Sequence, residues 1–187
     1  MSSILIAFAS HHGQTQKVAV RLGEHLRALG HEVDLANLAD GLTETPSPED
    51  YDVVVLGSRI ETGRYAPSLG AYVRDHRAAL GEIPTALFTV SMAAASTDRG
   101  PDPDGYLAKI CTELGWSPSL RKAIAGGLKY RAYGVITRFV MKMISRRAGR
   151  TTDTSKNHEF TDWEAVRRFA GEITEVCPRE RLEVSHL

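Results

Sequence analysis

Short apolar runs alternate with longer segments along the chain, and the short runs predict the strands of a sheet. Three of them are almost continuously apolar, which is typical of parallel strands that are buried on both faces. The other two are shorter and contain more polar residues. The predicted strands cover residues 4–9, 32–36, 51–57, 85–90 and 121–125.

The longer segments carry apolar residues at the spacing of amphipathic helices. The first helix ends at Gly30, and the second begins with Pro67, a residue that suits the first helical turn. A Thr161-x-x-Glu164 capping box predicts the start of the last helix, which Trp163 would pack against the fold. The predicted helices cover residues 14–29, 67–80, 106–114 and 162–176.

Strands and helices that alternate in this way predict an α/β fold. We expect a doubly wound five-stranded parallel sheet with helices on both faces and right-handed crossovers. Ligands of such sheets bind at the carboxyl ends of the strands, near the point where the strand order reverses. Three loops lie there, at residues 10–15, 58–65 and 91–96. The first would hold a phosphate, and the other two would flank a flat ring system.

The first of these loops has the composition of an anion site. Ser10 and Thr15 offer hydroxyl groups, and Gly13 lets the backbone approach a ligand closely. Backbone N–H groups of Gly13 and Gln14, together with the helix dipole, favour a phosphate monoester, and His11 is a further candidate donor. The same residues also suit a capped helix that holds no ligand, with Ser10 as its N-cap. The G-x-G-x-x-G and G-x-x-x-x-G-K-[ST] patterns are absent, which leaves a ligand smaller than a dinucleotide or a nucleoside triphosphate.

Length and composition predict one domain over residues 1–187. Of its 187 residues, 42% are apolar and 25% are charged, as in an ordinary globular protein. Cys111 and Cys177 lie far apart and the histidines are scattered, so we expect neither a disulfide framework nor a metal site. No stretch approaches ~18 consecutive apolar residues and no signal peptide is recognisable, so we expect a cytoplasmic protein.

The formal net charge is zero, yet the charges are segregated along the chain. Residues 114–152 contain nine Lys and Arg residues and no acidic residue. Within this block, residues 134–147 carry apolar residues at helical spacing opposite a basic face. A basic amphipathic helix of this kind either packs on the sheet with a solvated face or lies on an anionic membrane. Nothing in the pattern indicates a nucleic-acid partner.

The first loop matches a known pattern, in which an aromatic residue is followed by x-[Ser/Thr]-x-x-Gly-x-Thr-x-x-x-Ala. Phe8, Ser10, Gly13, Thr15 and Ala19 meet it, and the chain therefore resembles flavodoxin-like proteins over nearly its whole length.

More closely, the chain resembles the menaquinone-dependent protoporphyrinogen oxidase family. The matching residues are Gly13-Gln14-Thr15, Ile60, Gly63, Tyr65, residues 125–130, Asp153-Thr154 and residues 161–164. The matches in the C-terminal third discriminate most, because ordinary flavodoxins lack that segment. It includes a long insertion near the fifth strand, at about residues 127–158.

The resemblance implies FMN as cofactor and the six-electron oxidation of protoporphyrinogen IX, with menaquinone or another respiratory quinone as acceptor. The cofactor-binding candidates are Ser10, His11, Gly13, Gln14 and Thr15 in the first loop, Ser58, Arg59, Ile60 and Tyr65 in the second, and Ser91, Met92, Ala93 and Ala94 in the third. Arg59 would favour an anionic reduced ring, and Tyr65 and Met92 would stack on the ring, although a surface position without such contact is open for each. No side chain is assigned a catalytic role, because the flavin would carry the redox step.

The basic block is the candidate surface for substrate and membrane. Its candidate contacts are Lys129, Arg131, Arg138, Lys142 and Arg146, which would hold porphyrin propionates or anionic lipid. An FMN electron carrier, an NAD(P)H-dependent quinone reductase and a fold without flavin remain open as alternatives. The sequence leaves the oligomeric state open.

Overall fold

A computed structural model describes residues 1–10, 13–39, 45–91, 103–128, 158–159 and 161–178. The strands in these ranges are β1 (Ser3–Ala9), β2 (Glu32–Asn37), β3 (Val53–Glu61), β4 (Arg64–Tyr65), β5 (Thr85–Ser91), β6 (Leu120–Ala125), β7 (Gly127–Leu128) and β8 (His158–Glu159). The helices are α1 (Gln14–Ala28), α2 (Pro67–Asp75), α3 (Arg77–Glu82), α4 (Pro103–Leu114) and α5 (Trp163–Val176), with one turn of 3-10 helix at Pro48–Asp50.

Five parallel strands form the main sheet in the order β2-β1-β3-β5-β6. The strand order reverses at β1, which has β2 on one side and β3 on the other, so the loop after β1 lies at the topological switch. Strand β4 adds a short antiparallel edge to β3, and β7 pairs with β8 in a separate two-stranded ribbon. The predicted doubly wound α/β fold is confirmed, with β4 as an additional strand.

The sheet is buried on both faces, as the continuous apolar runs predict. Residues 4–9 of β1 are at most 3% exposed. On one face, α1 and α5 cover Ile4, Ile6, Phe8, Val55 and Phe88 with Val18, Leu22, Phe169 and Ile173. On the other face, α2, α3 and α4 cover Leu5, Leu56 and Leu87 with Leu69, Val73, Leu80 and Leu107. Each fully buried side chain of this size contributes ~1.5–3 kcal/mol, so these two layers fix the sheet that carries the loops.

Two predicted segments are wrong in kind, and the helix predicted at residues 106–114 begins earlier, at Pro103. The segment expected as a loop at residues 58–65 instead continues β3 to Glu61 and turns back into β4. The turn forms because Thr62 and Gly63 both adopt positive φ angles, of 50° and 77°. The helix expected at residues 67–80 is two helices that are broken at His76, whose φ of −112° is not helical.

Within the described ranges, no helix is long and apolar enough to cross a membrane. The same residues contain no cluster of His, Cys, Asp and Glu side chains that could hold a metal ion.

Candidate functional site

The turn after β1 is anchored to the neighbouring strand β2. The Ser10 backbone N–H donates to Oδ1 of Asn37 at 3.1 Å, and Nδ2 of Asn37 donates to the Ser10 carbonyl at 3.3 Å. Oδ1 of Asn37 also accepts from the Ala39 backbone N–H at 3.3 Å. Asn37 therefore fixes the path of the chain where it leaves β1. The sequence offers one sign of this role, an amide side chain at the end of a strand, but not the pairing with β1 that makes it effective.

Helix α1 begins at this turn with backbone donors that have no acceptor within the helix. Gly13 is the N-cap, with a φ of 81°, and its N–H donates to the Ser10 hydroxyl at 3.1 Å. The first helical hydrogen bond runs from the Lys17 N–H to the Gly13 carbonyl at 2.9 Å, so the N–H groups of residues 14–16 have no helical acceptor. The first turn contains no acidic residue that could compete with an anion. Ser10 is thus an acceptor for the cap residue and not the N-cap itself.

The hydroxyl groups of this turn lie almost out of solvent. Ser10 is 7% exposed and Thr15 is 2% exposed. The Ser10 oxygen accepts from Gly13, which leaves the hydroxyl proton for a further acceptor. Two hydroxyls and several backbone N–H groups at the positive end of a helix dipole form a donor set that matches a phosphate monoester.

The Gln14 side chain points to the last helix. Its Nε2 donates to the Thr161 Oγ1 at 2.8 Å, and the Thr161 Oγ1 donates to the Ala125 carbonyl at 2.8 Å. The expected capping box is wrong, because Asp162 is the N-cap of α5 and accepts from the Ala165 N–H at 3.0 Å. Thr161 is left to bridge α1 and the end of β6.

In the second predicted loop, Ser58 is buried in the fold, whereas Arg59 and Glu61 are partly exposed. Ser58 is fully buried, and its hydroxyl accepts from the Ala66 N–H at 3.0 Å and donates to the Arg59 carbonyl at 2.9 Å. This side chain holds the start of α2 to β3 and has no surface to offer a ligand. Arg59 forms an ion pair with Glu61, with 3.2 Å between Nη2 and Oε2. The pair offsets the charge of Arg59, and Arg64 lies opposite Glu61 across the hairpin.

Two aromatic rings pack around the β3–β4 hairpin. Ile60 pairs with Tyr65 across it, and the Tyr65 ring packs over α2, where a Cβ on Gly70 would lie 3.0 Å from its Cε2. The ring of Tyr106 lies beside the turn, with its Cε1 3.4 Å from the place of a Cβ on Gly63. The sequence did not indicate Tyr106 near this hairpin, because its position beside Gly63 depends on how α4 packs. Contact of Ile60 or Tyr65 with a ring stays a prediction.

The third predicted loop begins at the end of β5. The Ser91 side chain is 7% exposed, and the Ser91 carbonyl accepts from the Gly126 N–H at 2.9 Å. The other residues predicted for this loop, Met92, Ala93 and Ala94, lie outside the described residues, as do His11 and the predicted substrate or membrane contacts Lys129, Arg131, Arg138, Lys142 and Arg146.

The sheet register brings the described parts of the three loops to one edge. Ala9, Ser58 and Thr89 share one row of the sheet, and Arg59 and Val90 share the next, with Ser10 leaving β1 at the same level. The predicted juxtaposition of the three loops at the carboxyl ends of β1, β3 and β5 is therefore confirmed for these residues.

A groove of about 510 Å³ lies beside the turn, between α1 and α5. It is lined by Gly13, Gln16, Lys17, Val20, Arg21 and Trp163. The Trp163 ring also packs against the core on the α1 face, which confirms that it packs the last helix against the fold.

Three titratable groups with shifted pKa values lie at the opposite end of the sheet. Burial raises the pKa of Tyr51 to about 12, with a further contribution from its hydrogen bond to Asp34. Burial also raises the pKa of the Cys177 thiol and, together with the charge of the chain N-terminus, lowers the pKa of His31. These groups precede β3, follow α5 and precede β2, so none of the three faces the turn after β1.

Comparison with known proteins places the chain among flavoproteins of this architecture. The sequence model of the flavodoxin domain family matches residues 5–155. Protoporphyrinogen IX dehydrogenase (quinone) of Escherichia coli (strain K12) is 35% identical over 180 residues, which cover 96% of this chain and 98% of that protein.

Two solved structures share the fold at low sequence identity. Oxidised flavodoxin 1 from Bacillus cereus has a TM-score of 0.52 at 16% identity and covers 95% of this chain and 100% of its own. A flavoprotein from Lactobacillus acidophilus NCFM in complex with FMN has a TM-score of 0.50 at 14% identity and covers 66% of this chain and 93% of its own.

Proposed function

This chain belongs to the flavodoxin domain family and to the protoporphyrinogen IX dehydrogenase (quinone) family, and from that premise we propose that it oxidises protoporphyrinogen IX with FMN as cofactor and a quinone as electron acceptor. The similarity to the Escherichia coli dehydrogenase extends over almost the whole of both chains. The observation that carries the proposal within this chain is the donor set at the start of α1.

That donor set fits the phosphate of FMN. The N–H groups of residues 14–16 have no helical acceptor, and the Ser10 and Thr15 hydroxyls lie at the same turn. A phosphate monoester presents several oxygens that accept such hydrogen bonds, and the helix dipole stabilises its negative charge. We expect Ser10, Gln14 and Thr15 to hold the phosphate, with His11 as a further donor. The N–H of Gly13, which the sequence also offered as a phosphate donor, is used by the Ser10 hydroxyl, so Gly13 contributes through its left-handed backbone.

The other two loops would bound the flavin ring. Arg59 would lie beside it, but its ion pair with Glu61 reduces the positive charge that it offers to a reduced ring. Ile60 and Tyr65 would form one side of the ring site, and the fully buried Ser58 would only hold that segment in place. Ser91, Met92, Ala93 and Ala94 would form the other side.

FMN, when bound, would supply the two-electron redox chemistry, and the chain would orient substrate and acceptor around it. Oxidation of one protoporphyrinogen IX removes six electrons and six protons. Three quinones would take up these electrons and protons, each becoming a quinol. We propose menaquinone as the physiological acceptor, because the family that the sequence resembles uses it.

The basic block is proposed to meet the membrane in which the quinone is dissolved. Residues 114–152 carry nine basic residues and no acidic one, and each basic residue near an anionic surface contributes ~1 kcal/mol to binding. We propose that Lys129, Arg131, Arg138, Lys142 and Arg146 contact anionic lipid or the propionates of the substrate. The protein would then act in the cytoplasm, as a peripheral protein on the inner face of the cell membrane.

An anaerobic turnover assay tests the proposal. The FMN-loaded protein is mixed with protoporphyrinogen IX and a soluble menaquinone analogue, and the fluorescence of protoporphyrin IX is followed. We expect formation of the porphyrin with three quinones consumed per porphyrin. A parallel reaction contains NADPH in addition. Reduction of the quinone that requires NADPH, with no porphyrin formed, would contradict the proposal and indicate a quinone reductase instead.

The substitution Thr15→Val tests the phosphate site separately. Valine keeps the shape of the side chain but removes a buried donor. Because a hydrogen bond to a charged group contributes ~1.5–3 kcal/mol, we expect FMN to bind roughly tenfold to a hundredfold more weakly. Fluorescence titration of FMN measures this loss, and unchanged affinity would exclude the Thr15 hydroxyl as a ligand.

A further inference from the structure

The start of α1 is tied to the start of α5 by two consecutive hydrogen bonds. Gln14 Nε2 donates to Thr161 Oγ1, and Thr161 Oγ1 donates to the Ala125 carbonyl, both at 2.8 Å. Gln14 and Thr161 are 147 residues apart in the chain. The bridge therefore joins three elements, α1, β6 and α5, at the edge where the phosphate turn lies.

The direction of both hydrogen bonds is fixed by chemistry. A carbonyl oxygen can only accept, so the Thr161 hydroxyl must spend its single proton on Ala125. Its oxygen then accepts from the NH₂ group of Gln14, and this sets which way the Gln14 amide faces. Gln14 is 9% exposed, so its side chain has little solvent with which to replace this partner.

Gln14 is also the first residue of α1, and its backbone N–H is one of the donors at the phosphate turn. Holding its side chain fixes the position of that N–H relative to the sheet. The Ser10 side of the turn is anchored separately by Asn37. The two anchors together hold both ends of the turn.

We infer that Thr161 is a positioning residue of the FMN site, which acts through Gln14 to keep the phosphate turn in its binding geometry. The inference rests on the proposed function, since it takes the phosphate of FMN as the ligand of the turn. Thr161 does not touch the ligand. The Ala125 carbonyl that accepts from Thr161 belongs to the same peptide unit as the Gly126 N–H, which donates to the Ser91 carbonyl at the third loop, so the affinity for riboflavin reports whether that loop is disturbed as well.

The comparison of FMN with riboflavin isolates this effect, because riboflavin lacks the phosphate. Affinities of the full-length apoprotein for both ligands are measured by fluorescence titration for the wild type and for Thr161→Val. We expect the variant to bind FMN about tenfold more weakly, equivalent to ~1.4 kcal/mol, and to bind riboflavin as the wild type does.

Two controls separate this role from a general loss of structure. Thr161→Ser keeps the hydroxyl, so it should retain the FMN affinity of the wild type. Thr174→Val makes the matched change within α5, where the partly buried Thr174 hydroxyl donates to the Ala170 carbonyl at 3.0 Å, away from the turn. It should leave both affinities unchanged.

A second variant approaches the bridge from its other end. Gln14→Leu removes the Nε2 donor and leaves the Thr161 bond to Ala125 in place. Because both this variant and Thr161→Val break the bond between Gln14 and Thr161, we expect both to lose FMN affinity to the same extent. The double variant should lose no more than either single variant, because both changes break the same bridge. Additive losses would contradict a shared path.

The remaining outcomes are distinct. If the wild type prefers FMN to riboflavin but Thr161→Val keeps that preference, the inference is wrong and the proposed function stands. Equal losses for FMN and riboflavin would also overturn it, since they indicate a general structural role. If the wild type binds neither ligand, or both equally, the turn does not hold the phosphate, and the proposed function fails together with the inference.

Discussion

Gly57 is the position where a single methyl group should most disturb the sheet beneath the site. It lies in β3, in the same row as Phe8 of β1 and Phe88 of β5. A Cβ added there would lie 2.2 Å from Cζ, 2.6 Å from Cε1 and 2.9 Å from Cε2 of Phe88. The Phe88 ring is fully buried between the sheet and the helices, so it has no solvent-filled space into which it could withdraw.

The size of the effect follows from these distances. Ordinary contacts of a Cβ atom begin at about 3.4 Å, so the Phe88 ring would have to move by more than an ångström. Overpacking of this kind costs ~1–3 kcal/mol, and we expect the upper end for Gly57→Ala because the clash is with a fully buried ring. At ~2–4 °C per kcal/mol for a chain of this length, Tm should fall by ~6–12 °C.

The matched control is the same substitution at Gly171 in α5. Nothing lies within 4 Å of a Cβ at that position, and alanine is ~1 kcal/mol better than glycine in a helix interior. Gly171→Ala should therefore raise Tm by ~2–4 °C. Urea denaturation and thermal unfolding of the apoprotein measure both changes on one scale.

A compensating variant tests the cause. Phe88→Leu alone should destabilise the protein, because it removes buried volume. In the Gly57→Ala background the same change should restore stability, because the shorter side chain makes room for the methyl group. If the free energy of unfolding of Gly57→Ala lies within ~0.5 kcal/mol of the wild-type value, the Phe88 ring can move aside at little cost, and rigid packing of this ring is refuted.

Two further predictions concern the scaffold. Ser58→Ala should lower the free energy of unfolding by ~1–3 kcal/mol, because the Ala66 N–H loses its buried acceptor, and an unchanged urea midpoint would show that α2 does not depend on this bond. Burial lowers the pKa of His31 below the value of 6.5 that the unfolded chain retains, so the unfolded state takes up the proton first. The free energy of unfolding should be highest above pH ~6.5 and should fall as the pH drops through the folded pKa. Urea midpoints measured across this pH range should fall less for His31→Phe than for the wild type.

The sequence predicts the central sheet because both faces of its strands are buried. The runs that became β1 and β5 are continuously apolar, and few structures other than buried parallel strands accommodate them. The hairpin at β3 and β4 was missed although it left a signal. Arg59, Ile60 and Glu61 alternate polar and apolar residues, and Thr62-Gly63 suits a tight turn, a combination typical of an edge strand.

The site was predicted where it depends on local sequence and missed where it depends on packing. The donors at the start of α1 follow from residues that are neighbours in the chain. The Asn37 and Thr161 anchors are 27 and 147 residues away from their partners, and only the strand order and the docking of α5 bring them together. Thr161 was assigned to the cap because threonine and aspartate are both good N-caps, and Asp162 occupies that position instead.

A crystal structure of the protein grown with FMN would show whether the turn after β1 holds the phosphate. We expect the phosphate at this turn, within hydrogen-bonding distance of the backbone N–H groups of Gln14 and Thr15 and of the Ser10 and Thr15 hydroxyls. The bridge from Gln14 to Thr161 should be intact in that complex. An FMN phosphate bound elsewhere on the chain, or a turn that stays empty at saturating FMN, would refute the phosphate site.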